Sequence, residues 1–228
     1  MWEEILKLWK ADNLLDQAWQ TSHEMVEITN EMFLESIKAL REEDHKEVDK
    51  TIRSKDKKIN KYEREVRRQV LTHLAVQGSK DVAAGLVLIT IIIDIERIGD
   101  YTKNIVELVD AHGETLQAGK YEKKLTEIED AIKDVFQKAI TCLKEDERKL
   151  ALKLLDDYKW VNLECDKNLN KIIKQKDKAL DSGTAATLAM YFRYLKRVHA
   201  HLRNIITSAI NPFDRIGYKV KKKTLKNL

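Results

Sequence analysis

The sequence predicts an all-α protein: two three-helix bundles in tandem, related by internal duplication. Three observations carry this. The 228 residues include one proline, Pro212, and only seven glycines, so residues that break a helix are scarce. Apolar residues recur at steps of three and four, as one buried helical face requires. The order of helix, charged corner, helix, break and helix is then read twice.

The elements follow in order. Leu14, Leu15, Ala18, Trp19, Met25, Ile28, Met32, Phe33, Leu34, Ile37 and Leu40 predict a helix over 12–41. "REEDHKEVDK" (41–50) reads as a charged corner. Val48, Ile52, Ile59, Tyr62, Val66, Val70 and Leu74 predict a second helix to about residue 74. "VQGSKD" (76–81) is the next break, with Ser79 as the N-cap. The third helix, to about residue 110, is apolar nearly all round through Leu88, Ile91, Ile92, Ile95 and Ile98. Ile89 and Ile93 belong to the same pattern, which marks a central, buried helix. Its β-branched residues would also suit a strand, but the apolar pattern runs on to Val109, too far for one.

"HGETLQAGK" (112–120) is the clearest linker. After it come a helix over 121–143, a corner "KEDER" (144–148), a helix to about 176, a break "DKALDSGTA" (177–185) and a helix to about 210. The first unit, with an N-terminal extension, spans 1–114, the second 115–214, and a basic tail 215–228. The register supports duplication. "SKDKKINK" (54–61) lies over "ECDKNLNK" (164–171), so that Asp56 meets Asp166 and Asn60 meets Asn170. "ERIGDYTKNI" (96–105) lies over "KRVHAHLRNI" (196–205), so that Arg97 meets Arg197 and Asn104 meets Asn204. The shift falls from 110 to 100 in the loops, where insertions are tolerated.

Composition narrows the function. Hydrophobic residues at 43% and charged residues at 35% describe a folded, charge-rich chain. A net charge of +4, from 42 basic and 38 acidic residues, does not call for nucleic acid. Cys142 and Cys165 lack ligand spacing and read as reduced thiols of a cytoplasmic protein. "MWEEILKLWK" (1–10) lacks a secretory core, and no apolar run reaches membrane length. Trp2, Trp9 and Trp19 read as packing or self-association residues, which allows a homo-oligomer. The tail, with six basic and no acidic residues, reads as solvated or as a contact for anionic headgroups or an acidic partner. No nucleophile, base and acid stand at motif spacing, and no phosphate loop is present, so an enzyme is not expected.

The chemistry concentrates in "IIIDIERIGDYTKNIVELVD" (91–110). Glu96, Asp100, Asn104 and Glu107 fall within roughly 80° of one another on a helix. Glu96 and Asp100 are four apart and repel. A hard divalent or trivalent cation would reward that arrangement, with Asp56 and Asp49 as donors from the second helix. The plainer alternative is a solvated face, with Arg97 and Lys103 placed to pair. Asp94 lies on the opposite side of the helix and reads as a salt-bridge or cap residue.

"DIERIGDYTKNIVEL" resembles the signature of the PhoU family, an apolar helix followed by E-R-I-G-D-x-x-x-N-I-x-E, with Glu96, Arg97, Ile98, Gly99, Asp100, Asn104, Ile105 and Glu107 all matching. The resemblance implies a duplicated three-helix fold and a regulator of phosphate uptake and signalling. It implies docking on a phosphate transporter subunit or sensor kinase at the inner face of the membrane. It also implies a metal, iron foremost, with manganese, zinc or magnesium as alternatives. Glu96 and Asp100 are the implied ligands, Asp56 and Glu107 further candidates, and Arg97 and Asn104 motif support. A metal-free helical module that docks on a transporter is the alternative. The second unit departs from the signature: Lys196 stands for Glu96 and Ala200 for Asp100. His199 and His201 are two apart and cannot chelate from one face, so they read as exposed or core-edge histidines.

Overall fold

The computed structural model describes residues 14–42, 48–145 and 147–221. Trp2, Trp9, most of the first charged corner and the end of the basic tail lie outside these residues. Among the described residues the chain is helical throughout, with no strand. The long helices are α1 (Leu14–Arg41), α2 (Val48–Gln77), α3 (Val82–His112), α4 (Glu122–Glu145), α5 (Arg148–Asp157), α6 (Trp160–Ile173) and α7 (Ser182–Ser208). Helices α1 to α3 pack on one another as the first bundle; α4, the α5–α6 pair and α7 form the second. The bundles join mainly where α3 lies against α7 and α1 against α4.

Sequence explains most boundaries. Gly113 takes the left-handed conformation (φ 76°), and its amide closes α3 on the Val109 carbonyl at 2.9 Å. Asp181 caps α7, accepting from the Thr184 amide at 2.9 Å. Ser79 does not cap α3. It sits in a 3-10 turn (Gly78–Asp81), and Asp81 holds the cap position without a side-chain bond. The Asp81 carboxylate is engaged instead by His73 Nε2 at 2.9 Å.

The expected single helix from 149 to 176 is interrupted. Around Tyr158 and Lys159 the backbone tightens into i−3 bonds, Lys159 N to Asp156 O and Val161 N to Tyr158 O. The Tyr158 hydroxyl is tied to Asp134 on α4. Neither proline nor glycine marks this kink, so composition could not show it. The linker is not slack either: Leu116 is fully buried, and its amide bonds the Leu40 carbonyl at 2.9 Å.

Helix α3 is central, contacting α1, α2 and α7. Leu88, Ile91, Ile92, Ile95, Ile98 and Ile105 are essentially inaccessible. Its apolar surface is not buried all round, since Val82, Leu86 and Ile93 remain more than a third exposed. The two glycines of α3 differ. A Cβ on Gly85 would stand 2.9 Å from Val70 Cγ1, whereas one on Gly99 would meet nothing closer than Met32 Cε at 3.8 Å. Gly99→Ala is therefore expected to stabilise by up to about 1 kcal/mol through helix propensity. Gly85→Ala is expected to cost about 1–2 kcal/mol, because the short Val70 side chain must yield. Urea unfolding of both variants checks the contrast, and a loss at Gly99 equal to that at Gly85 would contradict it.

Across the α3–α7 seam, side chains of the two bundles meet. Asp94 Oδ1 accepts from His201 Nδ1 at 2.7 Å and from Asn204 Nδ2 at 2.9 Å. One hundred residues on from Asp94 is Tyr194, and one hundred back from His201 is Tyr101. Those two rings pack on each other at 6.0 Å, and Tyr101 also stacks on His201 at 5.7 Å. The Asp94–His201 and Tyr101–Tyr194 contacts thus pair positions that a shift of one hundred residues exchanges. Asp94 serves this salt bridge, as its place opposite Glu96 suggests.

Candidate functional site

The signature residues of α3 face α2, and the two helices bring several predicted carboxylates to one seam. Lys103 lies at its centre. Its Nζ is 2.9 Å from Asp56 Oδ1 on α2 and 2.9 Å from Asp100 Oδ1 on α3. Arg97 donates to Asp100 Oδ2 at 3.1 Å and lies 3.7 Å from Glu96 Oε2. Asn60 Nδ2 donates to Asp56 Oδ2 at 3.2 Å. Asp49, the other α2 candidate, is held by Arg53 at 2.8 Å instead. Glu107 is exposed at the rim of a groove of about 350 Å³, which Arg53, Lys103 and Asn104 also line.

The electrostatics follow from this packing. Burial holds the Glu96 carboxyl above its ordinary value of 4.5, and the adjacent Asp100 charge raises it further. Glu63 on α2 adds to the same repulsion. Sequence reasoning did not single out Glu63, yet it stands seven residues after Asp56, on the same helical face. Because the folded value of Glu96 is raised, ionising it opposes folding. Stability is fullest below the unfolded value of 4.5 and falls as pH rises through the folded one. Glu96→Gln is therefore expected to melt higher than the parent at pH 7 and to match it below about pH 4. A variant that melts lower at pH 7 would show that the Glu96 charge is used.

In donor chemistry the site suits a hard cation. In arrangement it already holds one: the Lys103 ammonium stands between Asp56 and Asp100. Among the described residues no three His, Cys, Asp or Glu side chains gather so as to hold a metal ion. As placed, the residues therefore do not fit a metal.

The second bundle pairs charges at the related place. Lys196 Nζ, at the position of Glu96, lies 2.6 Å from Asp166 Oδ2, and Asp166 corresponds to Asp56. In both bundles an ammonium from the third helix neutralises the second-helix aspartate. His199 is fully buried rather than exposed, and His201 joins Asp94. Both cysteines are free and buried; burial pushes Cys142 up to about 11 and Cys165 up to about 12, so neither is a ready thiolate.

Residues 23–109, which contain this seam, match the PhoU domain. The match spans 87 of the chain's 228 residues. No curated protein sequence matches it. Its fold is that of solved PhoU structures. The crystal structure of PhoU from Pseudomonas aeruginosa aligns over 87% of this chain and 96% of its own, with TM-score 0.78 and 20% identity. The phosphate transport system regulatory protein PhoU from Streptococcus pneumoniae aligns over 88% and 95%, with TM-score 0.72 and 16% identity. The fold likeness therefore extends through the second bundle, beyond the matched PhoU domain. Among the described residues no helix is long and apolar enough to cross a membrane.

Proposed function

We propose that this PhoU-domain protein regulates phosphate transport by docking its helical bundle on a phosphate transporter subunit or a sensor kinase at the inner face of the membrane. The PhoU domain and the PhoU fold of both neighbours support the regulatory role. The observation that carries the reading is the signature helix itself. Its Arg97, Asp100, Asn104 and Glu107 line an open groove along the α2–α3 seam, available to a partner. The groove presents Arg53, Arg97 and Lys103 beside Asp100 and Glu107, a mixed-charge surface suited to a polar protein interface.

Two readings of the seam are distinguishable. In the one the geometry favours, Lys103 closes the carboxylate cluster and docking needs no metal. In the second, carried by the acidic donor set and the raised Glu96 carboxyl, Glu96 and Asp100 hold iron, or manganese, zinc or magnesium. Asp56 would assist, and Lys103 would have to withdraw. Elemental analysis of the wild type, the Glu96→Ala/Asp100→Ala double variant and Lys103→Met separates them, each protein being exposed to these four metals. Metal in Lys103→Met alone supports the lysine-closed reading. Stoichiometric metal in the wild type, lost in the double variant, establishes the metal-loaded one. Pull-down of transporter or kinase subunits, with and without chelator, tests docking itself, and no capture in either condition would remove the proposal.

A further inference from the structure

The related groove of the second bundle has changed its chemistry. One hundred residues beyond Asp100 and Glu107 stand Ala200 and Thr207, so the carboxylates are gone. One hundred beyond Lys103 and Asn104 stand Arg203 and Asn204, so the cation and the amide remain. These four second-bundle positions line a cavity of about 620 Å³, against about 350 Å³ for the first-bundle groove. The larger volume lies within the usual range for small-molecule sites.

Two further elements wall the cavity. Kinked α5 supplies Leu152 and Leu155. The other wall is the chain after α7, which turns back along that helix and supplies Tyr218, Lys219 and Val220. This start of the basic tail was expected to be solvated, but it is built into the fold. The Gly217 amide donates to Thr207 Oγ1 at 2.7 Å, and Asn211 Nδ2 donates to the Tyr218 carbonyl at 2.8 Å. Gly217 has φ 82°, and a Cβ there would stand 2.9 Å from Asn204 Oδ1, so the position requires glycine.

Charge and burial then define the ligand. Among the described residues Asp156 is the one carboxylate lining the cavity, and Lys159 holds it at 2.8 Å. Arg203 and Lys219 make no ion pair with a carboxylate among the described residues. Arg203 is partly buried, with its guanidinium bonded to the Leu155 carbonyl at 2.8 Å. A partly desolvated cation at the edge of an apolar-walled space is completed by an anion. We propose that this cavity binds a small amphipathic anion, a carboxylate or phosphate head on an unbranched apolar body. Arg203 and Lys219 hold the head; Leu152, Leu155 and Val220 cover the body. The site is distinct from the first-bundle seam and does not depend on the phosphate-transport reading.

Calorimetric titration of the full chain with decanoate, decyl phosphate, decanol and inorganic phosphate tests this. Decanoate or decyl phosphate is expected to bind at least about tenfold more tightly than decanol, the scale of one charge-assisted contact. Whichever head binds better identifies the source, acyl or phosphoryl. Inorganic phosphate alone is expected to bind more weakly than either. Ala200→Asp restores the first-bundle carboxylate beside Arg203. It should weaken the better anion at least about tenfold and leave decanol unchanged. Lys219→Gln, at an exposed residue, should weaken it severalfold and decides the matter if Ala200→Asp does not fold. Decanol binding as tightly as the anions, no binding by any amphiphile, or anion affinity unchanged in folded variants would overturn the proposal.

Discussion

Replacing Arg41 by methionine is expected to destabilise the protein by about 3–5 kcal/mol, although its sequence neighbourhood reads as a charged surface corner. Arg41 ends α1 and crosses to the second bundle. Its guanidinium donates to the Leu116 carbonyl and to Glu122, and its Nε lies 3.4 Å from Glu129 Oε1. Glu129 is 4% exposed and also accepts from the Tyr191 hydroxyl at 2.6 Å, deep in the second bundle. Burial holds the Glu129 carboxyl above its ordinary value; the Tyr191 hydroxyl, Arg41 and Lys133 oppose that rise without cancelling it. Without Arg41 the carboxylate must stay charged and unpaired by it, or take up a proton at neutral pH. Either cost falls on the folded state, and the Leu116 carbonyl loses its donor as well. Glu129→Gln removes the charge but still accepts from Tyr191. The double variant Arg41→Met/Glu129→Gln should therefore recover more than half of the loss. Urea unfolding at pH 7 reads all three variants. A loss below about 1 kcal/mol for Arg41→Met would place the pair in the class of screened surface contacts.

The same residues show where sequence reasoning reaches. Helical periodicity is local, so the apolar stripes of α1 to α4 and α7 announced themselves. The signature string placed Glu96, Arg97, Asp100 and Asn104 on one helix, and the structure sets Asp100 beside Lys103 and Asp56, with Arg97 reaching Asp100 and Glu96. Contacts between distant segments leave no such trace. Arg41 and Glu129 are 88 positions apart, and Asp94 and His201 are 107 apart, with nothing local to announce either pairing. At the Tyr158 kink a hydroxyl reaches another helix, and the start of the basic tail packs back where Gly217 approaches Asn204. His199 was read as exposed or core-edge because an isolated histidine carries no sign of its depth. What the seam carboxylates face was the hardest question. Spacing favours a face paired with Arg97 and Lys103, the family resemblance favours a metal, and the coordinates put the Lys103 amine between two of the carboxylates.

His199 yields the second large effect, a loss of stability in mild acid. Its ring is fully buried; Nδ1 lies 2.9 Å from Asn162 Oδ1, and Nε2 has no hydrogen-bond partner among the described residues. With Nδ1 donating to the amide oxygen, Nε2 is left as a bare acceptor, and protonating it would bury a cation. Burial, and next the neighbouring charge of Arg203, hold the imidazole down to about 3 from an ordinary 6.5. The unfolded chain therefore takes up this proton first as pH falls. The stability this histidine protects is complete above pH 6.5 and is lost progressively down to about 3, on the order of 4 kcal/mol over the window. Carboxylates titrate in the same range, so the decisive quantity is a difference. His199→Phe cannot titrate, whereas the other ionisable groups remain. It is expected to be less stable than the parent at pH 7, where Asn162 loses its partner and the ring must repack, and to close that gap or overtake the parent by pH 4. Denaturant unfolding at half-unit intervals from pH 7.5 to 4 measures it, and parallel curves for the two proteins would mean that the imidazole takes its proton as easily in the fold as outside it.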